Sequence, residues 1–171
     1  MKNRIFILIF IQIAIGFVGC SKNENPTPEN THPYAGTVRL YETKRNWSLK
    51  YSEGSTYSYF SVSIGTNELI EFIPAENKNQ YYIRPKDYPT KALDAQAKDE
   101  YFIKLYTFYS NESQLFNVID IGDNKIKIQS AVDTSLYLLN DSDLASFSYS
   151  SFLKPKSTYP TALDYWRIEL L

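Results

Sequence analysis

Cysteine and histidine are almost missing from this chain of 171 residues, which has one of each, Cys20 and His32. A single cysteine cannot form a disulfide within the chain, so the fold must be stabilised by burial of apolar side chains. Histidine triads, Cys–His nucleophile pairs and zinc sites with several histidine ligands are all excluded beyond residue 32. These absences favour a protein that binds over one that catalyses by the common routes.

Glycine and clustered basic residues are also scarce. The chain has six glycines, none of them grouped as in a phosphate-binding loop. Its net charge is −1, and removal of residues 1–19, which hold two basic and no acidic residues, would make it −3. A mildly acidic protein argues against nucleic acid as a partner, because phosphate neutralisation needs clustered lysine and arginine. No cofactor is expected either.

Residues with oxygen atoms that could ligate a metal lie near one another at 140–143, in Asn-Asp-Ser-Asp. This segment lacks the glycine and the distal glutamate of a calcium-binding EF-hand loop, so it is interpreted as a solvated turn, and no metal site is predicted. Catalysis by paired carboxylates stays open because Asp and Glu are plentiful, but no spacing in the chain favours it.

Long apolar runs are limited to one, Ile5–Val18, which is interrupted only by Gln12 and Gly16. It follows the basic residues Lys2 and Arg4, and this order of charge and apolar residues is typical of a secretory signal. The run holds about 14 residues, whereas a membrane-spanning helix needs roughly 20. The sequence therefore predicts a cleaved export signal over residues 1–19.

The apolar run ends in Phe17-Val18-Gly19-Cys20. This segment resembles the lipobox of bacterial lipoproteins, in which small residues precede an invariant cysteine, although that family usually has leucine where Phe17 stands. The resemblance implies cleavage after Gly19, diacylglyceryl transfer to the Cys20 sulfur, and acylation of the new amino terminus with palmitate or a similar chain. Two or more acyl chains anchor a protein stably to a membrane. An ordinary secreted protein is the alternative.

Residues 20–36 are expected to form the lipidated cysteine and a flexible polar tether, because they contain three prolines and little that could be buried. In bacterial lipoproteins, aspartate at the second mature position retains the protein in the inner membrane, and Ser21 stands there instead. The resemblance therefore implies the outer membrane of the cell envelope. Exposure at the surface or towards the periplasm stays open.

From residue 37 to residue 171 the pattern is that of a single β-domain. The chain has 15 Tyr, 10 Phe and 2 Trp, which suit strands. Polar and apolar residues alternate in Ser61–Ile64 and in Lys125–Ile128, which is the period of a half-buried strand. Turn signals, such as the Gly122-Asp123-Asn124 segment, separate the short runs. The sequence predicts an all-β fold.

Three copies of a unit of about 45 residues can be aligned within this domain. Three columns of apolar residues carry the alignment, in the first, second and last strand of each unit: Leu40, Ile83 and Ile128; Leu49, Leu93 and Leu138; Ile70, Phe116 and Trp166. A third strand is placed in the units at 59–64, 103–108 and 146–152. Three units of four strands predict twelve strands.

The repeat resembles the β-trefoil, and within it the ricin-type lectin family. The resemblance is best in the middle unit, where Tyr81-Tyr82-Ile83 and Thr90–Asp94 look like the family's opening hairpin. Gln114-Leu115-Phe116 looks like its Gln-x-Trp signature, with phenylalanine for tryptophan, and Asp164-Tyr165-Trp166 keeps the tryptophan but loses the glutamine. A lipocalin-like barrel or a β-sandwich is the alternative fold.

The resemblance also implies a sugar site. In the family, an aspartate after the second strand accepts hydrogen bonds from sugar hydroxyls, which are charge-assisted. An aromatic ring near the third strand offers a flat apolar platform to the sugar, and a nearby amide completes the polar contacts. Lys50 and Leu139 stand at the aspartate position in the first and third units, so those two sites are expected to be lost. The residues carried over in the middle unit are Asp94, Tyr106, Asn111 and Gln114.

Structural roles stay open for these residues. Asp94 could cap a turn, Tyr106 could belong to the core or to a strand surface, and Gln114 could bond to the backbone. The expected function is that of a membrane-anchored, non-catalytic, carbohydrate-binding lipoprotein. The alternative is a structural or protein-interaction lipoprotein that has kept the scaffold, lost sugar binding and contacts other envelope proteins.

Overall fold

The computed structural model describes residues 32–54, 58–65, 67–96, 103–140, 151–155, 157–158 and 162–171. The expected signal peptide, Cys20 and most of the expected tether therefore lie outside the described residues. Within the described ranges, no helix has the length and apolar character needed to cross a membrane.

The twelve strands, named β1 to β12 in chain order, pair in antiparallel fashion throughout. They are β1 Gly36–Tyr41, β2 Ser48–Glu53, β3 Ser58–Ser63, β4 Ile70–Pro74, β5 Gln80–Pro85, β6 Lys91–Leu93, β7 Ile103–Thr107, β8 Leu115–Gly122, β9 Lys125–Ser130, β10 Leu136–Asn140, β11 Ser151–Pro155 and β12 Trp166–Leu170. A 3-10 turn at Glu112–Gln114 precedes β8.

Six of these strands close a barrel. Around it, β1 pairs with β4, β4 with β5, β5 with β8, β8 with β9, β9 with β12, and β12 with β1. The other six strands form three hairpins, β2–β3, β6–β7 and β10–β11, one in each unit of four strands. A six-stranded barrel that carries one hairpin per four-strand unit is the β-trefoil, so the fold is the predicted one.

Equivalent pairs of facing side chains occur three times in the barrel interior, once for each unit. Within the units, the facing pairs are Val38 with Ile70, Tyr81 with Phe116, and Ile126 with Trp166. Between the units, they are Phe72 with Ile83, Val118 with Ile128, and Ile168 with Leu40. None of these twelve side chains is more than 5% exposed. Because each buried side chain of this size contributes about 1.5–3 kcal/mol, the two sets of pairs dominate the stability of the barrel.

The structure confirms the three aligned columns. Each column occupies equivalent strands of the three units, and all nine side chains of the three columns are fully buried. The third strand is confirmed in the first two units, as β3 and β7. In the last unit the third strand was predicted at 146–152, of which 146–150 lie outside the described residues. Strand β11, Ser151–Pro155, overlaps the end of that prediction, and its register is set by pairing with β10, in which Leu138 pairs with Leu153.

The folded region begins earlier than the sequence predicted. Tyr34, which was assigned to the tether, is 8% exposed and belongs to the core. Its backbone N–H donates to the Tyr81 hydroxyl at 3.2 Å, and the His32 ring packs edge-on against the Tyr81 ring at 5.3 Å between centroids. Strand β1 then starts at Gly36 instead of residue 37. The prediction of a tether depended on the overall composition of a polar, proline-rich segment. Such a composition does not show that one tyrosine within the segment is buried in the core.

Candidate functional site

The second hairpin, β6–β7, carries two of the four residues proposed for sugar binding. Leu93 pairs with Leu105, and both side chains face the core. Ala92 pairs with Tyr106 in the same hairpin. Asp94 directly follows Leu93 at the end of β6. Asp94 and Tyr106 therefore belong to the same hairpin unit, and a shared sugar site at them stays a prediction.

Asp94 is well placed for a structural role. Its side chain is 2% exposed, and its Oδ1 accepts a hydrogen bond from the backbone N–H of Gln96 at 2.9 Å. A bond from a carboxylate to the N–H two residues later is an Asx turn, so Asp94 fixes the chain as it leaves β6. A carboxylate has about four lone-pair positions, and this bond uses one of them. A ligand would have to reach the others through a small opening.

Tyr106 and Asn111 are more accessible. Tyr106 is 37% exposed on β7, so part of its ring faces solvent. Asn111 lies at the start of the 3-10 turn before β8 and is exposed, and its Oδ1 accepts a hydrogen bond from the Ser113 hydroxyl at 2.9 Å. This hydrogen bond orients the Asn111 amide.

Gln114 has a structural role in this fold. Its side chain is fully buried, its Nε2 donates to the carbonyl of Thr107 at 2.8 Å, and its Oε1 accepts from the N–H of Tyr109 at 2.9 Å. The amide thereby holds the connection between β7 and β8 against the start of β8. This is the backbone-bonding alternative considered for Gln114, and it removes the side chain from the surface that a sugar could contact.

The first unit contains a polar and aromatic cluster that sequence reasoning missed. The Tyr88 ring is exposed and stacks on Tyr51 of β2, with centroids 3.7 Å apart and planes 23° apart. Burial raises the pKa of Glu68, the Asp87 carboxylate raises it further, and the Lys50 charge opposes the rise. Asp87 and Tyr88 come from the loop between β5 and β6 of the next unit, so alignment of one unit with another could not reveal the cluster.

A cavity of about 550 Å³ opens beside the turn between β8 and β9. Gly122, Asp123 and Asn124 all have positive φ angles there, at 84°, 54° and 55°, and consecutive positive φ angles are typical of a type I′ hairpin turn. The predicted turn is therefore confirmed. Two more acidic side chains, one arginine and one tyrosine line the cavity: Asp120, Glu169, Arg167 and Tyr34.

Burial and hydrogen bonds shift the pKa values of Tyr34 and Asp120 at the edge of this cavity. Burial raises the pKa of Tyr34 to about 12, and a hydrogen bond to the Asp120 carboxylate adds to the rise. The Gly122 N–H and the Tyr34 hydroxyl hold the pKa of Asp120 below its usual value. In the part of the chain that the structure describes, no group of three or more His, Cys, Asp or Glu side chains is arranged to hold a metal ion.

No protein-family model matches the sequence, and no curated protein is significantly similar to it. Solved structures, in contrast, share its fold. A Polyporus squamosus lectin, bound to the human-type influenza-binding epitope, matches with a TM-score of 0.61 and 17% identity over 80% of this chain and 49% of the lectin. ThreeFoil, a designed threefold-symmetric protein, matches with a TM-score of 0.59 and 17% identity over 80% of this chain and 99% of its own.

Lysenin, solved in complex with phosphocholine, matches with a TM-score of 0.60 and 11% identity over 80% of this chain. The chain spans less than half of the lysenin and Polyporus lectin chains, 44% and 49% respectively, so it corresponds to one part of each of them. At these identities the likeness concerns the fold. The chain has the β-trefoil fold that these structures share.

Proposed function

We propose that this chain is a membrane-anchored envelope lipoprotein whose β-trefoil domain binds carbohydrate without catalysing a reaction. The observation that carries the proposal is the second hairpin, where the Tyr106 ring on β7 is partly exposed and Asp94, which is 2% exposed, directly follows β6. A sugar offers hydroxyl groups and an apolar C–H face. A carboxylate and an aromatic ring on one surface complement both.

The lectin-like structures support the class of ligand. The Polyporus squamosus lectin was solved with a saccharide epitope bound, on the same fold. The exposed Tyr88 ring beside Glu68 and Asp87 gives the first unit a similar combination of groups. Binding is proposed to occur chiefly at Asp94 and Tyr106, with Asn111 as the amide that completes the polar contacts.

A binding experiment on the full-length protein in detergent tests this proposal. The protein is screened on a glycan array and on cell-wall polysaccharides, together with Asp94→Asn and Tyr106→Ala. Asparagine can still accept the bond from the Gln96 N–H, so Asp94→Asn removes the charge while keeping the turn. Each variant should weaken binding by about tenfold or more, since a charge-assisted hydrogen bond contributes about 1.5–3 kcal/mol.

Tyr109→Ala is the matched control for Tyr106→Ala. Tyr109 is 72% exposed and lies on the connection that follows β7, so it is the same residue type close to the proposed site but outside it. Its removal should leave the affinity unchanged. If Asp94→Asn and Tyr106→Ala bind like the unchanged protein, the site is misplaced, and if no glycan binds at all, the carbohydrate proposal fails.

The anchor is proposed on sequence grounds. Lipid on Cys20 would leave about 12 residues before His32, which span at most roughly 40 Å when extended. Metabolic labelling with palmitate should mark the protein, and Cys20→Ala should abolish the label and release the domain from the membrane fraction. Protease treatment of intact cells then distinguishes exposure at the surface of the outer membrane from a periplasmic orientation.

A structural or protein-interaction lipoprotein is the second candidate, and two observations favour it. Leu139, at the aspartate position of the third unit, is buried, and Gln114 is committed to the backbone. Co-purification with an envelope protein from cross-linked cells, combined with the absence of any glycan signal, would support this candidate over a lectin.

A further inference from the structure

Three arginines and two aromatic rings lie together on the outer face of β1, β12 and the loop between β1 and β2. We call them the arginine patch: Arg39, Arg45, Arg167, Tyr41 and Trp47. Tyr41 of β1 faces Arg167 of β12 in register, and Arg39 faces Glu169 in the same strand pair. The patch joins the first unit to the last one and is distinct from the second hairpin with Asp94.

Hydrogen bonds fix the conformation of the loop between β1 and β2, which carries Arg45 and Trp47. The buried Glu42 carboxylate accepts hydrogen bonds from the backbone N–H groups of Lys44 at 2.6 Å and Arg45 at 2.7 Å. The Glu42 N–H donates to the carbonyl of Trp47 at 2.7 Å, which closes the loop. The negative charge of Glu42 is therefore directed at backbone N–H groups inside the loop. The side chain of Arg45 is exposed on the outside of the loop.

Aromatic rings orient two of the guanidinium groups. The Arg167 guanidinium lies 4.1 Å from the centroid of the Tyr41 ring, and the Arg45 guanidinium lies 4.8 Å from the Trp47 ring. Arg167 also donates to the Asn46 side chain, which connects the loop to β12. A guanidinium stacked on a ring keeps N–H donors at its edge and loses less side-chain entropy when it binds an anion.

Positive charge dominates the patch. Arg39 donates to Glu169 at 3.4 Å, and the Tyr41 hydroxyl donates to the same carboxylate at 2.7 Å, so Glu169 is the one surface carboxylate described within the network. The Nε atom of Arg39 is buried and has no hydrogen-bond partner within the described residues. Three guanidinium groups against this carboxylate leave an excess of positive charge, although the chain as a whole has a net charge of −1.

We propose that the arginine patch is a second binding site, specific for acidic carbohydrate, meaning sugars that carry carboxylate or sulfate groups. The planar guanidinium group of arginine donates two parallel hydrogen bonds to such oxyanions. The Tyr41 and Trp47 rings offer apolar contact to the sugar ring. This inference rests on the proposed carbohydrate function and adds a ligand class and a location to it. Arg167 and Glu169 also line the cavity that contains Asp120 and Asp123, and these two carboxylates would repel a densely charged polymer on that side of the patch.

The test measures binding of the full-length protein in detergent to polygalacturonate, to chondroitin sulfate and to an uncharged galactan. The key variant is Arg45→Gln/Arg167→Gln. It should lose affinity for at least one acidic polymer by about tenfold or more, because it removes two charge-assisted contacts. Raising sodium chloride from about 50 to about 200 mM should weaken this binding in the unchanged protein much more than in the variant.

Lys78→Gln/Lys86→Gln is the matched control, since it removes the same number of positive charges from exposed positions on the turns after β4 and β5. It should bind the acidic polymers within about twofold of the unchanged protein, because only non-specific attraction is altered. An equal loss in both double variants would overturn the proposal, since the binding would then depend on net charge alone. Thermal unfolding of each variant confirms that it is folded.

Further outcomes of the same binding experiment distinguish the proposed arginine patch from the proposed sugar site at Asp94. If Asp94→Asn loses binding to uncharged glycans but keeps the acidic polymers, both sites stand. If uncharged glycans bind and acidic polymers do not, the arginine patch is refuted and the proposed function stands. If only acidic polymers bind, through the arginines, the Asp94 site fails instead. Arginine-dependent binding to phosphatidylglycerol vesicles without binding to the polymers would identify a lipid headgroup and overturn the carbohydrate proposal.

Discussion

Replacing Gln114 by leucine separates its structural role from a role in sugar binding. Leucine is similar in size but can neither donate to the Thr107 carbonyl nor accept from the Tyr109 N–H. The variant would therefore leave two backbone groups without their partner at the connection between β7 and β8. The side chain is fully buried, so water cannot replace the amide at its own position.

The expected loss can be worked out from these contacts. An unsatisfied buried polar group costs about 1–3 kcal/mol, so two would cost roughly 2–6 kcal/mol. Thr107 and Tyr109 are themselves exposed, and their backbone groups can partly regain hydrogen bonds from water. The lower part of the range follows, about 2–3 kcal/mol, which is a substantial share of the 5–15 kcal/mol of a typical domain.

Urea unfolding followed by tryptophan fluorescence measures this loss, and glycan affinity is measured on the same samples. Gln114→Leu should lower the unfolding midpoint without changing the affinity of the folded fraction. Gln114→Glu is an informative companion, because a carboxylate can accept from Tyr109 but can donate to Thr107 only when protonated. Its stability should therefore improve as the pH falls through its carboxyl pKa. Unchanged unfolding together with lost glycan binding would refute the structural assignment.

Trp166→Ala should destabilise the barrel by about 3–5 kcal/mol, and Trp166→Phe by less, mainly through loss of the 2.9 Å bond from Nε1 to the Leu138 carbonyl; urea titrations measure both. The pKa of Tyr34 is raised to about 12, so its contribution to stability is complete below pH ~10, the unfolded value, and is lost as the pH rises through the folded value. Unfolding between pH 9 and 12 should show this loss, and Tyr34→Phe should remove it. Leu139→Asp should destabilise the protein by burying a charge without creating a third sugar site, as unfolding and glycan binding would show together.

The barrel could be predicted from the sequence because its constraints are local and periodic. Strand alternation and the spacing of the three columns depend on side chains that point to one interior, and the structure buries all nine of them. In the last unit, β11 can be compared with the predicted third strand only at 151–152, where the two overlap, since 146–150 lie outside the described residues. Tyr34 was missed because one anchored residue does not change the polar composition around it.

The candidate surfaces could be predicted only in part. Asp94 and Tyr106 belong to one hairpin unit, so a motif within a single unit could propose them, and their role in binding stays a prediction. The cluster of Tyr51 and Tyr88 joins residues of neighbouring units, and the arginine patch joins the first unit to the last. Such contacts depend on how the barrel closes, and no spacing along the chain encodes them before the fold is known.

The three units share their core and differ at their surface, and this difference limits how the protein can bind. At the aspartate position they carry Lys50, Asp94 and the buried Leu139, so a cation, an anion and an apolar side chain occupy equivalent places. Three identical sites at this position are therefore excluded, and so is the gain in affinity that linked identical sites provide. If the domain binds carbohydrate as proposed, it does so through one site or through different surfaces that recognise different parts of the ligand. A polysaccharide with both neutral and acidic residues could contact the second hairpin and the arginine patch together, which is the arrangement that an asymmetric trefoil permits and a symmetric one does not.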